Sequence, residues 1–130
     1  MSPLEVEVLG DVLPAGEVRR ACALAAATAG VEDGHVAVAF VGPEEIAALN
    51  SEHRGKEGPT DVLSFPVDGA GPLAGPPALR ELGDVVICPE HAADLAEAVV
   101  HGVLHLVGMD HEGDDGEMLA LQAELVSWLR

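Results

Sequence analysis

Three histidines in the second half of the chain have the spacing of a metal site. His101 and His105 are four positions apart, so on a helix their side chains share one face and can reach one ion. Gly108 can take a left-handed backbone conformation and end that helix, after which His111 can return as a third ligand. Three histidine ligands with an open fourth position are typical of catalytic zinc, whose bound water becomes a nucleophile near neutral pH.

The same spacing occurs in the metzincin proteases, but one residue differs. Those enzymes carry the pattern H-E-x-x-H-x-x-G-x-x-H, in which the glutamate acts as the general base. Here Gly102 takes the position of that glutamate, and glycine cannot accept a proton. The sequence therefore counts against the protease mechanism, although a metal-dependent hydrolase of peptides or small substrates remains an alternative.

Acidic residues surround the third histidine. Asp110 has two interpretations: its carboxylate holds a ligand imidazole in one tautomer, or it caps the turn or the start of the last helix. Glu112, Asp114 and Asp115 are predicted to form an acidic first turn of that helix, where the helix dipole favours negative charge. These carboxylates would also strengthen cation binding and repel phosphate.

The elements that must position the histidines follow from hydrophobic periodicity and from glycine and proline punctuation. Two strands joined by a helix predict a parallel crossover at the N-terminus. We expect an α/β (α+β) fold, a small four-stranded mixed sheet covered by about four helices, with the metal site on a C-terminal-half helix and the turn after it. The predicted strands are 4–8, 35–41, 62–67 and 84–88, the helices are 14–28, 43–53, 89–107 and 116–129, and a long loop covers 68–82.

Composition limits the classes of partner. The chain has 23 acidic and 6 basic residues, a formal net charge of −17, one tryptophan, two phenylalanines and no tyrosine. The acidic charge and the scarcity of aromatic residues both oppose strong nonspecific binding of nucleic acid, which depends on Lys, Arg and stacking aromatics.

Cys22 and Cys88 lie in apolar segments and are predicted to be buried free thiols. With no apolar run long enough for a membrane span and no secretory signal pattern, we expect a cytoplasmic enzyme.

Three blocks of sequence carry a resemblance to a known family. The run H-G-V-L-H-L-V-G-M-D-H at 101–111 resembles the H-G-x-L-H-L-x-G-x-D-H signature of the YbeY family. The run L-N-S-E-H-R-G-K at 49–56, followed by P-T-D-V-L-S-F-P at 59–66, is similar to a second family motif. A third similarity is L-G-D-V-V-I-C-P-E at 82–90. YbeY proteins are bacterial metal-dependent endoribonucleases that act in ribosomal RNA maturation and ribosome quality control.

The resemblance implies a set of roles for individual residues. It implies one zinc ion held by His101, His105 and His111 plus water, with Arg54 facing the cleft as the catalytic residue. A guanidinium beside a metal can clamp a phosphate and offset charge that develops in the transition state. Lys56 either attracts phosphate or is a solvated loop lysine, and for His53 a surface position is favoured over substrate contact. Four further residues are expected to shape or cap their loops: Thr60, Asp61, Ser64 and Asp84.

The expected activity follows from the same resemblance. It implies a single YbeY-like hydrolase domain over 1–130 that cleaves single-stranded ribosomal precursor RNA, including 16S 3′-end processing. Because the chain is strongly acidic, we expect a ribosomal protein or an assembly GTPase to provide docking. A noncatalytic zinc-binding ribosome assembly factor is a further alternative. Two features depart from the family: Met109 stands where tyrosine is more common, and only ten residues separate Glu90 from His101.

Overall fold

The computed structural model describes residues 4–130 as four strands, four α-helices and two short 3₁₀ turns. Among these residues, no helix combines the length and the apolar character needed to cross a membrane. The elements in chain order are β1 (Glu5–Leu9), α1 (Ala15–Ala27), β2 (His35–Phe40), α2 (Pro43–Arg54), β3 (Val62–Pro66), a 3₁₀ turn (Pro77–Leu79), β4 (Glu81–Ile87), a second 3₁₀ turn (Pro89–His91), α3 (Leu95–Leu106) and α4 (Glu117–Leu129).

The strands form one mixed sheet in the order β1-β2-β4-β3. Strand β1 is parallel to β2 and β2 is parallel to β4, whereas β3 runs antiparallel to β4. Because β1 and β2 are parallel and joined through α1, the predicted crossover is confirmed. The predicted fold class, a four-stranded mixed sheet with four helices, is confirmed as well.

Each face of the sheet packs against helices. Helices α1 and α3 cover one face, where Val38 and Val85 of the sheet are fully buried, and α4 packs against these two helices. Helix α2 packs on the other face through Ile46, which lies in a smaller cluster with Val86. Burial of an apolar side chain contributes about 1.5–3 kcal/mol, so the larger layer fixes α3 firmly on the sheet. Helix α3 is therefore a rigid platform for the histidines it carries.

Both cysteines are buried and free, as predicted. Cys22 belongs to the larger core, and Cys88 lies in the cluster beneath α2. Burial raises the pKa of the Cys22 thiol to about 12. A thiol with so high a pKa stays protonated at neutral pH and is a poor nucleophile.

The prediction of one helix over 89–107 is wrong. A 3₁₀ turn occupies Pro89–His91, and α3 begins only at Leu95. Asp94 has an extended backbone, and its Oδ1 accepts a hydrogen bond from the Glu97 N–H at 3.1 Å, which is the geometry of a helix N-cap. Ala92 packs against the core although it lies outside the helix, so the apolar pattern extends beyond the helix itself.

The fourth strand begins earlier than its predicted start at residue 84, and the preceding loop is correspondingly shorter. Strand β4 starts at Glu81, which pairs with His35 of β2, and the register shifts before Val36 pairs with Gly83. This register shift interrupts the alternation of side chains that marks a strand in the sequence. The 3₁₀ turn Pro77–Leu79 also lies inside the segment that was predicted as irregular.

Candidate metal centre

Helix α3 and the turn after it bring three histidines together. The Nε2 atoms of His101 and His105 are 3.1 Å apart. One nitrogen from each of these residues and one from His111 all lie within 4.8 Å of one another. A tetrahedral zinc ion with bonds of about 2.0–2.1 Å holds neighbouring nitrogen ligands about 3.3 Å apart. The histidine cluster therefore has the residue types and the dimensions of a site for one transition-metal ion.

The turn that brings His111 back toward His101 and His105 depends on a glycine in the left-handed backbone conformation. Gly108 has φ +103°, and its N–H donates to the His105 carbonyl at 3.1 Å. The Met109 N–H donates to the Leu104 carbonyl at 3.0 Å, which completes the end of α3. A residue with a Cβ atom rarely adopts this conformation. The predicted role of Gly108 as the helix stop is confirmed.

Asp110 caps the turn between α3 and α4. Its Oδ1 accepts a hydrogen bond from the Glu112 N–H at 3.0 Å. The structure thus shows the capping contact, one of the two interpretations that the sequence left open. The prediction that Glu112, Asp114 and Asp115 form the first turn of the last helix is wrong, because α4 begins only at Glu117. Asp114 instead caps that helix from outside, since its Oδ2 accepts from the Met118 N–H at 2.9 Å.

Hydrogen bonds at the Nδ1 atoms orient two of the imidazoles. His105 Nδ1 lies 2.9 Å from the carbonyl oxygen of Met109, and His101 Nδ1 lies 2.7 Å from Oε1 of Gln122. A carbonyl oxygen only accepts, so Nδ1 of His105 carries the proton and Nε2 keeps its lone pair. Oε1 of Gln122 also only accepts, so in the neutral ring Nε2 of His101 keeps its lone pair too, and the two lone pairs at 3.1 Å repel unless a proton or a metal ion lies between them. This donor set therefore fits a metal ion.

Burial also keeps His105 available as a ligand. Burial, and then the charges that His101 and His111 would carry if protonated, hold the pKa of His105 below its ordinary value of 6.5. The hydrogen bond to the Met109 carbonyl and the nearby carboxylate of Asp110 act in the opposite direction without outweighing these causes. Because only neutral imidazole coordinates a metal, a lowered pKa favours binding at neutral pH.

Arg54 faces the same cavity as the histidines. The cavity has a volume of about 550 Å³, and its wall includes Arg54, Ser64 of β3 and all three histidines. Arg54 lies in the last turn of α2, which ends at Gly55 in the left-handed conformation with φ +65°. Elements that are distant in sequence thus place one exposed guanidinium and three imidazoles around one space.

The loop after Arg54 is held by a buried asparagine. Asn50 is 4% exposed, and its Nδ2 donates to the Gly58 carbonyl at 2.9 Å. The Asn50 carbonyl in turn accepts from the Lys56 N–H at 3.4 Å. In the sequence this asparagine is visible only as part of a motif, and no local pattern indicates its contact with Gly58. Lys56 itself is exposed and is not part of the cavity wall.

The remaining motif residues have mainly structural contacts. Ser64 Oγ donates to the Gly102 carbonyl at 2.9 Å and so joins β3 to α3. Asp61 Oδ1 accepts from the Val62 N–H at 2.9 Å at the start of β3. His53 meets the Phe65 ring edge to face, with ring centroids 4.9 Å apart, in a groove on the opposite face of the sheet. That groove, which Asp84 also lines, is separate from the histidine cavity.

Comparison with known proteins identifies the family. The family model described as Endoribonuclease YbeY matches residues 15–130. The chain belongs to the YbeY family. A relative from Rubrobacter xylanophilus, named Endoribonuclease YbeY, is 40% identical over 98% of this chain and 98% of its own. A Bacillus licheniformis protein of the same name is 38% identical over 85% of this chain and 82% of its own.

A solved structure shows a similar fold. The solution structure of a Thermotoga maritima protein superimposes with a TM-score of 0.56 at 27% identity, covering 95% of this chain and 88% of that one. This likeness supports the fold, and the family model with the two named relatives confirms the resemblance that the three sequence blocks carry. The cavity described above is therefore the candidate functional site of a YbeY protein.

Proposed function

We propose that the protein is a zinc-dependent endoribonuclease that cleaves single-stranded ribosomal precursor RNA, including 16S 3′-end processing, and contributes to ribosome quality control. One observation carries the proposal: the histidine cluster and Arg54 line one cavity in a chain whose relatives are named endoribonucleases. We infer that residues 1–130 act as one hydrolase domain, and that it works in the cytoplasm, where ribosomal precursors are processed.

Each residue of the centre has a defined task in this proposal. His101, His105 and His111 bind one ion through neutral imidazole nitrogens, and the turn at Gly108 holds the third of them in place. Zinc bound there would supply Lewis acidity and lower the pKa of a coordinated water to about 7. The rigid attachment of α3 to the sheet keeps the ligand nitrogens in position during the reaction.

Arg54 contacts the phosphate. Its guanidinium donates two parallel hydrogen bonds to phosphate oxygens and offsets the negative charge that grows in the transition state. Arg54 is the only Lys or Arg in the described wall of the cavity, whose charged members also include Asp61, Asp110 and Glu112. The carboxylates repel phosphate, so the RNA backbone enters on the side of Arg54.

The acidity of the chain calls for a docking partner. A net charge of −17 opposes counterion-driven binding of RNA, which needs many Lys and Arg contacts. We infer that a basic ribosomal protein or an assembly GTPase brings the substrate to the cavity. Tight binding of RNA by the isolated protein at physiological salt would contradict this inference.

The test is a comparison of substrates with the zinc-loaded protein. We expect cleavage of a single-stranded oligoribonucleotide, little cleavage of the same sequence in a perfect duplex, and no cleavage of unstructured peptide. Cleavage of peptide with intact RNA would favour a metallohydrolase of peptides or small substrates. Zinc binding with no cleavage of any substrate, even when ribosomal subunits are added, would favour a noncatalytic assembly factor.

A further inference from the structure

Gln122 of α4 is a polar residue inside an apolar layer. The residue is 8% exposed, and its neighbours on the buried face of α4, Met118 and Leu125, belong to the hydrophobic core. A buried amide costs about 1–3 kcal/mol when it lacks a hydrogen-bond partner. The partner that Gln122 has is an imidazole of the candidate centre: Oε1 lies 2.7 Å from Nδ1 of His101.

We propose that Gln122 is a positioning residue of the metal centre, an inference that rests on the proposed metal-binding role of the histidines. Gln122 accepts the Nδ1–H of His101, which fixes the tautomer with an unprotonated Nε2 and directs that nitrogen toward Nε2 of His105. In metalloproteins a ligand imidazole is oriented by the hydrogen bond at its other nitrogen.

The two helices divide this task. For His105 the acceptor is the backbone carbonyl of Met109, which belongs to the turn that ends α3. For His101 the acceptor comes from α4, and the two residues are 21 positions apart in the sequence. Docking of α4 against α3 therefore completes the orientation of the ligands. The centre is assembled by tertiary packing as well as by the local histidine motif.

The neutral amide has a consequence for substrate binding. A carboxylate in the place of Gln122 would add a negative charge beside a centre that already has Asp110 and Glu112 in its cavity. With an amide, the positive charge of a bound divalent ion remains available to attract phosphate. In a chain with a net charge of −17, a neutral acceptor suits an anionic substrate better than a charged one.

The test measures zinc affinity by competition with a chromophoric chelator, using the full chain. Gln122→Leu removes the acceptor at similar size, and we expect about 10-fold to 100-fold weaker zinc binding. Gln122→Glu keeps an acceptor and is expected to bind zinc at least as tightly as the unmodified protein. Leu125→Ala truncates a buried residue of the same helix, so it lowers stability and leaves zinc affinity unchanged.

A second readout needs no substitution. Long-range ¹H–¹⁵N spectra of the zinc-loaded protein should show a proton on Nδ1 of His101 and none on Nε2. Equal zinc affinities for Gln122→Leu and the unmodified protein, or a His101 bound through Nδ1, would overturn the role of Gln122 alone. Failure of the unmodified protein to bind zinc would overturn the proposed metal centre and this inference with it.

Discussion

Gly102 packs directly against Val85 of β4. A Cβ atom at position 102 would overlap one γ-methyl group of Val85 and lie 3.1 Å from the other, with Val62 Cγ2 at 3.3 Å. The position that holds the general base in a metzincin therefore has no room for any side chain here. The glycine lets the histidine helix lie close to the sheet, and it leaves no carboxylate at this position to act as the general base of a protease.

Substitution of Gly102 by alanine should destabilise the protein. Overpacking costs about 1–3 kcal/mol, which exceeds the gain of about 1 kcal/mol from replacing a helical glycine. Urea unfolding measures the difference. Gly16→Ala is the matched control, because Gly16 is also helical and a Cβ there meets nothing within 4 Å. Equal stabilisation by both substitutions would show that the contact with Val85 is unimportant.

Substitution of Arg54 by alanine should lower the rate of RNA cleavage without lowering the zinc content of the protein. Loss of a group that stabilises transition-state charge lowers the cleavage rate by about 10²–10³-fold, while zinc content stays at the level of the unmodified protein. Single-turnover cleavage and elemental analysis measure the two quantities. Arg19→Ala removes an exposed arginine on α1, outside the cavity wall, and should leave both unchanged. Undiminished cleavage by Arg54→Ala would refute the assigned role.

His35 should make stability depend on pH. Burial lowers its pKa, but the hydrogen bonds and charges of Glu81 and Glu7 outweigh burial and raise the pKa above 6.5. A raised folded-state pKa means that this stabilisation is complete below pH 6.5 and is lost as pH rises through the folded value. Each partly exposed pair contributes about 0.2–1 kcal/mol.

Urea unfolding of the unmodified protein and of His35→Gln tests this dependence. The stability difference between the two proteins should be largest near about pH 5.5 and should shrink toward about pH 8.5. A difference that is constant across this range would mean that the charge of His35 plays no part. A difference that grows with pH would mean that its pKa is lowered on folding.

The sequence predicted the local part of the histidine cluster. The spacing of His101 and His105 and the glycine at 108 describe a helix and its end, and these depend only on neighbouring residues. The start of α3 could not be predicted in the same way. Ala92 packs in the core from outside the helix, so periodicity alone extends the helix past its cap at Asp94.

The features of the site that the sequence does not reveal depend on contacts between segments that are distant in the chain. Gln122 meets His101 only because α4 docks on α3, and no spacing within either helix reveals that pair. Asn50 supports its loop through Gly58, a contact that hydrophobic patterns do not encode. Residue chemistry alone does not single out Arg54 in the sequence; the family resemblance indicates it, and the fold places it in the wall of the histidine cavity.

The central claim is that one ion held by His101, His105 and His111 is required for cleavage of RNA. The most direct measurement is the cleavage rate of a single-stranded oligoribonucleotide by chelator-treated protein as zinc is titrated back. We expect no cleavage without metal and a rate that rises to a plateau at one equivalent of zinc, with no rescue for His105→Ala. Full cleavage by the metal-free protein, or by His105→Ala, would contradict the claim.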